Sequence, residues 1–155
     1  MRFLVQRVTE ASVVADGVLT GSIGKGFLVL LGACEGDSEA VADAMLKKLV
    51  GLRIFEDENG KTNLSIDDVG GELLVVSQFT LYADCRKGNR PSFVRAGSAE
   101  SANALYEYVL EKLRSVYGFD VRAGVFGADM KVSLVNDGPF TVMLDSAELG
   151  IDAKA

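Results

Sequence analysis

Short turn signals between apolar segments constrain the fold of this chain more than any other feature of its sequence. Asp16-Gly17 separates two strand-like segments, 3–14 and 18–23, and Gly24-Lys25-Gly26 separates the second of them from the apolar run 27–31. Turns this short join antiparallel neighbours, because a parallel connection needs a crossover of a dozen or more residues. We therefore expect consecutive hairpins at the start of the chain.

Two longer segments have the apolar spacing of amphipathic helices. The first begins after Asp37, which we expect to be its N-cap, and its apolar face runs from Val41 to Leu52. The second begins near Ser98 and ends before Gly118. Strand-like segments precede, separate and follow the two helices. The pattern predicts one domain over residues 1–155, with an α+β fold, a mainly antiparallel sheet and two main helices.

The sequence also limits where the protein is expected to work. It has no apolar run of the ~18 residues that a membrane span requires, and its first residues lack the apolar core of a signal peptide. Its two cysteines, Cys34 and Cys85, are too far apart to form a Cys-x-x-Cys motif. A reduced, cytoplasmic location without membrane association is the expectation.

Histidine is absent from the sequence. Its absence excludes a Ser-His-Asp triad, a Cys-His pair and any metal site with imidazole ligands. The two separated cysteines exclude a zinc site made of thiolates. Any catalysis here has to proceed without an imidazole base, and we expect neither a metal nor a cofactor.

Charge is segregated along the chain. The net charge of −6 argues against a protein with a broadly basic surface. Segment 84–95, however, carries four cations and a single acid. Such a loop can hold a phosphate backbone through ion pairs, although a solvated loop is the simpler interpretation of charge alone. The four cations are Arg86, Lys87, Arg90 and Arg95.

The predicted buried strand 72–81 ends in polar residues. Its apolar run, 73–76, is followed by Ser77, Gln78 and Thr80. Period-two alternation places Gln78 and Thr80 on the same face of this strand. A strand end of this kind often opens into a crevice, where backbone N–H groups can serve as an oxyanion hole. The alternative is that the two hydroxyls only satisfy nearby backbone groups.

A second polar segment, Asn136-Asp137-Gly138-Pro139, separates the strand-like segments 130–135 and 140–144. Asp-Gly alone is typical of a two-residue hairpin, but the proline that follows removes an N–H group. A Gly-Pro pair presents two bare carbonyl groups to whatever lies opposite, and its peptide bond can be cis. The alternative is an ordinary turn between two strands.

Four motifs of this sequence occur in the same order in the D-aminoacyl-tRNA deacylases, a family that it closely resembles. The resemblance extends from Gln6-Arg7-Val8 to Leu144-Asp145-Ser146 and covers nearly the whole chain. The motifs are Ser-Gln-Phe-Thr-Leu (77–81), Arg-Lys-Gly-x-Arg-Pro-Ser-Phe (86–93), Gly-Val-Phe-Gly-Ala-Asp-Met (124–130) and Asn-x-Gly-Pro-x-Thr (136–141).

The resemblance implies a small barrel-like β structure with helices packed on it, working as a homodimer. It also implies that the protein hydrolyses the ester bond of a D-aminoacyl-tRNA and releases the D-amino acid and the tRNA. The active site is then expected at the dimer interface, with Gly138-Pro139, in the cis form, entering from the partner subunit. The expected partners are D-aminoacyl-tRNA and a second copy of the chain, without membrane or DNA.

The roles expected of individual residues follow from the resemblance together with the chemistry of the residues. The backbone amides of Phe79 and Thr80 are expected to stabilise the oxyanion. Arg7 is expected to support the Gly-Pro segment, and the alternative is an arginine on the surface of a strand. The residues expected to bind substrate are Ser77, Gln78, Met130, Asn136, Gly138 and Pro139, and those expected to bind tRNA are Arg86, Lys87 and Arg90.

Two mechanisms of hydrolysis remain open. In the first, the Thr80 hydroxyl attacks the ester. In the second, the ribose 2′-hydroxyl of the tRNA helps to activate water and no protein side chain transfers a proton, which the absence of histidine favours. Discrimination is expected to come from steric exclusion of the L side chain at Gly138-Pro139. Glycyl-tRNA has no side chain to exclude, so we expect it to be partly cleaved.

Three other interpretations compete with this one. A sibling deacylase clears L-alanine from a mismatched tRNA, but that group carries Pro and Ala around the glutamine where this chain has Ser77 and Phe79. A nucleic-acid-binding protein without turnover is the alternative from another class, and multiple-turnover release of D-tyrosine from D-Tyr-tRNA separates it from an enzyme. A dimeric domain without an active site is disfavoured by the intact motifs.

Overall fold

Hairpins open the chain, as its turn signals predict. The computed structural model describes residues 1–151, so the last four residues of the predicted 1–155 domain lie outside the described residues. Within 1–151, no helix is long and apolar enough to cross a membrane. The elements are β1 (Arg2–Ala15), β2 (Val18–Ile23), β3 (Gly26–Gly32), α1 (Glu39–Val50), β4 (Phe55–Glu56), β5 (Thr62–Leu64), β6 (Glu72–Ser77), a 3₁₀ turn (Phe79–Tyr82), α2 (Ala99–Ser115), β7 (Val121–Ala123) and β8 (Met130–Asp145).

Strand β1 organises the main sheet because it pairs with three other strands. β8 lies antiparallel along one of its edges, while β3 and β2 share the other edge. β6 pairs with β3 and β7 pairs with β6, both in parallel. β2 then approaches β7, since a Cβ on Gly21 would lie 3.1 Å from the Arg122 Cβ. The sheet is nearly closed, which confirms the predicted barrel-like α+β fold with two helices.

Strands β3 and β6 are buried on both faces, and successive residues alternate between two apolar clusters. Leu73 and Val75 point into the main cluster, beneath the two helices. Leu74 and Val76 point into a smaller cluster inside the barrel. All four side chains are at most 1% exposed, and burying each contributes about 1.5–3 kcal/mol. The smaller cluster reaches the end of β6, where the candidate site begins.

Both predicted helices are present, but the predicted N-cap of the first is wrong. Ser38 caps α1 by accepting a hydrogen bond from the Val41 N–H at 3.3 Å. The Asp37 carboxylate instead accepts hydrogen bonds from the Met1 amine at 2.7 Å and the Cys34 N–H at 2.8 Å. A charge-assisted bond to the amine is stronger than an ordinary cap, so Asp37 turns away from the helix.

Two predicted strand assignments are also wrong. β6 ends at Ser77 and does not continue to residue 81, because its parallel partner β3 ends at Gly32 and leaves the next residues without a neighbour. The predicted face shared by Gln78 and Thr80 is lost with it. The two strands predicted around 136–139 are a single strand, β8, because β1 pairs with residues on both sides of that segment.

Candidate active site

A cavity of about 570 Å³ opens at the end of β6. Val76, Met130 and Val132 belong both to its wall and to the apolar cluster inside the barrel. Ser77, Gln78, Phe79 and Met130, predicted from sequence as site residues, all line it. Four further lining residues belong to two of the sequence motifs, although no site role was predicted for them: Phe93 in motif 86–93, and Phe126, Gly127 and Ala128 in motif 124–130. Sequence reasoning missed the rest of the lining, which carries no pattern typical of a site: Val76, Ala96, Gly97, Ala99, Ala102 and Val132.

The 3₁₀ turn forms where the chain leaves the sheet. The Gln78 N–H donates a last bond to β3, to the Leu31 carbonyl, at 2.6 Å. The Leu81 N–H then donates to the Gln78 carbonyl at 3.3 Å. The turn packs on Gly32, where a Cβ would lie only 3.0 Å from the Gln78 carbonyl oxygen and 3.2 Å from the Leu81 Cβ. Glycine at this position therefore lets the turn lie close to the sheet.

The amide groups of Phe79 and Thr80 begin this turn. In the described part of the chain, no group accepts a hydrogen bond from either N–H, and the Gln78 side chain does not cap the turn. The first N–H groups of a helical turn have no partner within the turn itself. Two such donors beside a cavity are the arrangement that stabilises an oxyanion in acyl transfer.

The Thr80 side chain is poorly arranged for nucleophilic attack. Its hydroxyl accepts a hydrogen bond from Gln78 Nε2 at 2.5 Å, and an amide nitrogen cannot take the hydroxyl proton. The side chain is exposed and does not line the cavity. The geometry therefore disfavours Thr80 as the attacking group.

Among the residues that the structure describes, none of the side chains that line the cavity is ionisable. The polar ones are Ser77 and Gln78, a hydroxyl and an amide. Neither is a general base at neutral pH. A proton that moves during a reaction in this cavity has to be carried by the substrate or by water.

The part of the cavity wall that Met130 forms depends on close packing around Gly124. A Cβ there would lie 2.5 Å from the Met130 Sδ. Tyr106 supports the same region from α2: its hydroxyl donates to the Val75 carbonyl at 2.9 Å, and its ring centroid lies 6.2 Å from that of Phe126. Burial raises the pKa of Tyr106 to about 12, so the hydroxyl stays a neutral donor. Tyr106 thus ties α2 to the end of β6.

The basic loop lies after the 3₁₀ turn. The backbones of Asp84 and Ser92 bond to each other at 2.7 and 2.9 Å and close the loop. Arg86 pairs with Asp84, Nη2 to Oδ2 at 2.6 Å, and its hydrogen bonds hold the pKa of that carboxyl well below the usual range. Lys87 and Arg90 are exposed. None of these three cations lines the cavity.

The Gly138–Pro139 peptide bond is cis, and both residues are exposed on β8. Gly138 has a φ of +135°, a conformation that side chains rarely adopt. Asn136 shapes the segment, since its Oδ1 accepts a hydrogen bond from the Phe140 N–H at 2.7 Å. Asn136, Gly138 and Pro139 do not line this cavity.

Arg7 supports this segment from the interior and is 6% exposed. Its Nε donates to the Asp137 carbonyl at 3.0 Å, and its Nη1 donates to the Ile54 carbonyl at 2.6 Å. Its guanidinium carbon also lies 4.9 Å from the centroid of the Phe140 ring. These contacts bring Arg7 and the Gly-Pro segment together, as the predicted supporting role requires.

Comparisons with known proteins match this chain to one family. The sequence model of the family described as D-Tyr-tRNA(Tyr) deacylase matches residues 4–145. A D-aminoacyl-tRNA deacylase of Thermomicrobium roseum is 58% identical over 96% of this chain and 96% of its own. One from Desulfitobacterium hafniense (strain DSM 10664 / DCB-2) is 56% identical over 94% of this chain and 97% of its own.

Two solved structures have similar folds. A c-Myc DNA unwinding element binding protein is 43% identical, with a TM-score of 0.88 over 94% of this chain and 99% of its own. A probable eukaryotic D-amino acid tRNA deacylase is 19% identical, with a TM-score of 0.78 over 92% of this chain and 97% of its own. At that identity the second likeness shows the fold alone.

Proposed function

The chain belongs to the D-Tyr-tRNA(Tyr) deacylase family and is a hydrolase of the D-aminoacyl-tRNA deacylase type, and we propose that the cavity at the end of β6 is its catalytic site. The observation that carries this proposal is the pair of amides of Phe79 and Thr80, beside a cavity that within residues 1–151 has no ionisable side chain in its lining. The cavity receives the aminoacylated 3′ end of the tRNA, with the ester carbonyl oxygen directed at the two N–H groups.

The reaction then needs no protein base. Water attacks the ester carbonyl carbon, and the oxyanion of the tetrahedral intermediate accepts hydrogen bonds from the two amides. The bond to the ribose 3′-oxygen breaks, and a proton from the attacking water reaches that oxygen with the help of the neighbouring 2′-hydroxyl. An aminoacyl ester is already activated, so electrostatic stabilisation of this kind is sufficient.

Replacing Phe79 tests the amide role. Proline at this position removes the N–H, and Gln78, at φ −146° and ψ 81°, lies outside the α region that a residue before proline avoids. Phe79→Ala is the matched control, because it removes the same ring and keeps the N–H. We expect Phe79→Pro to release D-tyrosine from D-Tyr-tRNA about 100-fold more slowly than Phe79→Ala. Equal rates in the two variants would contradict the proposal.

Substrate assistance is tested on the tRNA. D-Tyr-tRNA ending in 2′-deoxyadenosine should be cleaved far more slowly than the natural ester, while Thr80→Ala, which keeps its amide, should retain most of the activity. An undiminished rate on the deoxy substrate eliminates the role of the 2′-hydroxyl. An inactive but folded Thr80→Ala restores the hydroxyl as nucleophile.

Discrimination against L-aminoacyl-tRNA comes, in this proposal, from a second copy of the chain. β8 is a 16-residue strand, and in the described residues it pairs along one edge alone. Val135 and Met143 on it are 49% and 43% exposed. A long exposed edge strand is normally covered. Gly138 and Pro139 do not line the cavity of their own chain. In a dimer that covers β8, they would reach the cavity of the partner instead.

The carbonyl groups of the partner's Gly138 and the partner's Pro139 then hold the α-amino group and leave no room for an L side chain. D substrates with different side chains should be cleaved at similar rates, and glycyl-tRNA should be partly cleaved. Complete resistance of glycyl-tRNA at high enzyme concentration contradicts steric exclusion.

Mixed dimers test whether each subunit contributes its Gly138-Pro139 segment to the cavity of the other. Phe79→Pro damages the turn, and Gly138→Ala places a Cβ 3.1 Å from the Phe140 N. Each variant alone should be weakly active in deacylation of D-Tyr-tRNA. Refolding the two together should restore about a quarter of the wild-type rate, because half of the dimers are mixed and each has one intact site. No restoration, with mixed dimers demonstrated by mass spectrometry, excludes a shared site.

The basic loop binds the acceptor end of the tRNA in this proposal. Lys87→Ala and Arg90→Ala should each make the salt dependence of tRNA binding shallower by about one unit of slope. Arg86→Ala should also reduce it, but by less, because Asp84 already neutralises that cation. Unchanged slopes would mean that the loop is structural. Duplex DNA is a useful competitor, since one protein of similar structure is named for binding a DNA unwinding element.

A further inference from the structure

Arg2 contacts the 3₁₀ turn from behind, on the side away from the cavity lining. Its Nη1 donates a hydrogen bond to the Leu81 carbonyl at 2.7 Å, and its guanidinium carbon lies 4.6 Å from the centroid of the Tyr82 ring. Its Nε donates to Asp145 Oδ2 at 2.6 Å. We infer that Arg2, held by Asp145, is a positioning residue that fixes the turn carrying the Phe79 and Thr80 amides.

In the described residues, few hydrogen bonds tie the turn to the rest of the protein. At its start the Gln78 N–H bonds to β3, and in the described residues the donor found for the Leu81 carbonyl is Arg2. A four-residue turn cannot satisfy its last carbonyl groups internally. Leu81 directly follows Thr80, so a shift of its peptide plane moves the proposed oxyanion donors. Arg2 therefore holds by a hydrogen bond the end of the turn that β3 contacts through packing at Gly32.

Asp145 holds the Arg2 side chain in one position. Arg2 and Asp145 are opposite each other where β1 pairs with β8, and Arg2 is opposite Gly32 where β1 pairs with β3. Asp145 also accepts a hydrogen bond from the Ala147 N–H at 3.0 Å, and its side chain is 8% exposed. A charge-assisted pair with both members on paired strands is rigid. The pairing of β1 with β8 and β3 thereby fixes the position of Arg2, and Arg2 fixes the position of the turn.

Charge alone does not explain the arrangement. Burial tends to raise the pKa of Asp145, but the hydrogen bonds from Arg2 and Ala147 outweigh it and hold the pKa below the usual value. A lysine could neutralise Asp145 but has one nitrogen. It could not donate in two separate directions with the fixed fork of a guanidinium. The position therefore requires arginine for its geometry.

The test compares Arg2→Gln and Arg2→Lys with Arg122→Gln. Arg122 forms an ion pair with Asp120 at 3.1 Å on the surface, so its loss is the matched control. We expect both Arg2 variants to lower kcat for D-Tyr-tRNA about tenfold or more, with KM changed less than threefold, at a temperature where each variant is fully folded. Asp145→Asn should lower kcat in the same direction and by less.

A second readout separates this inference from the proposed function on which it rests. The backbone amide chemical shifts of Phe79 and Thr80 should move in Arg2→Gln and stay in place in Arg122→Gln. Unmoved shifts, or an unchanged kcat in folded Arg2→Lys and Asp145→Asn, overturn the inference. If Phe79→Pro proves fully active, the oxyanion role fails instead, and the chemical shifts still decide whether Arg2 fixes the turn.

Discussion

Replacing Gly32 by alanine is expected to damage the site without unfolding the protein. The added Cβ would lie 3.0 Å from the Gln78 carbonyl oxygen, 3.2 Å from the Leu81 Cβ and 3.3 Å from the Tyr82 Cδ2. All three atoms belong to the 3₁₀ turn or to the residue before it. The turn therefore has to retreat by about 0.4 Å before these contacts reach the 3.4 Å of ordinary packing.

A displacement of this size is expected to change the rate of deacylation measurably. An error of about 1 Å can cost about 100-fold in rate, so an error of about 0.4 Å costs about sixfold if the logarithm of the rate falls in proportion to the displacement. We therefore expect Gly32→Ala to slow deacylation of D-Tyr-tRNA about five- to tenfold, or about 1 kcal/mol in the barrier. The extra methyl group should lower the free energy of unfolding by about 1–3 kcal/mol, which leaves the protein folded.

The assay is the single-turnover rate of D-tyrosine release, with urea unfolding of the same samples. Gly24→Ala is the control, because its Cβ would meet the flexible end of the Glu72 side chain at 3.3 Å, away from the turn. A wild-type rate in Gly32→Ala, or an equal loss in Gly24→Ala, would refute the view that the turn must lie this close to β3.

Other predictions concern the part of the cavity wall around Met130 and Gly124. Gly124→Ala should raise KM for D-Tyr-tRNA several-fold, because a Cβ 2.5 Å from the Met130 Sδ forces that side chain toward the substrate; an unchanged KM shows that Met130 can move elsewhere. Tyr106→Phe should lower the free energy of unfolding by about 1 kcal/mol in urea, because the Val75 carbonyl loses the 2.9 Å hydrogen bond from Tyr106 and keeps the one from the Gly124 N–H at 3.2 Å; no loss means that the Gly124 N–H alone satisfies this carbonyl. Tyr106 also predicts a dependence on alkaline pH. Its pKa is raised in the folded state, to about 12, so its stabilisation is complete below the ordinary value of 10 and is lost as the pH rises toward 12. The difference in stability between wild type and Tyr106→Phe should shrink over that range, and a constant difference would contradict this assignment.

The parts of the fold that the sequence predicts are those set by local chemistry. Asp16-Gly17 joins β1 and β2 as expected, and the apolar spacing of α1 and α2 places both helices. The segment at 136–139 has equally strong local turn signals, yet it lies inside β8. There the pairing with β1, before and after the segment, outweighs the turn preference of Asp-Gly. Long-range pairing of this kind cannot be deduced from the residues of the segment.

The candidate site was predictable only in part, for a similar reason. The polar residues after the apolar run of β6 do mark the cavity, but their conformation depends on where β3 ends. Arg2 and Leu81 are 79 positions apart, and Gly32 meets the turn across the sheet. None of these contacts has a local signal. The residues that set the geometry of the site are therefore harder to identify than those that line it.

The lack of ionisable side chains in the described lining of the cavity has consequences for inhibitor chemistry. Electrophilic warheads that capture a catalytic thiolate, imidazole or amine would find nothing to react with among the residues around this cavity. Inhibitors would have to bind through shape complementarity and through an oxygen atom that accepts hydrogen bonds from the Phe79 and Thr80 N–H groups. Resistance, in turn, would arise from changes in packing, such as an added methyl group behind the turn, and not from loss of a reactive group.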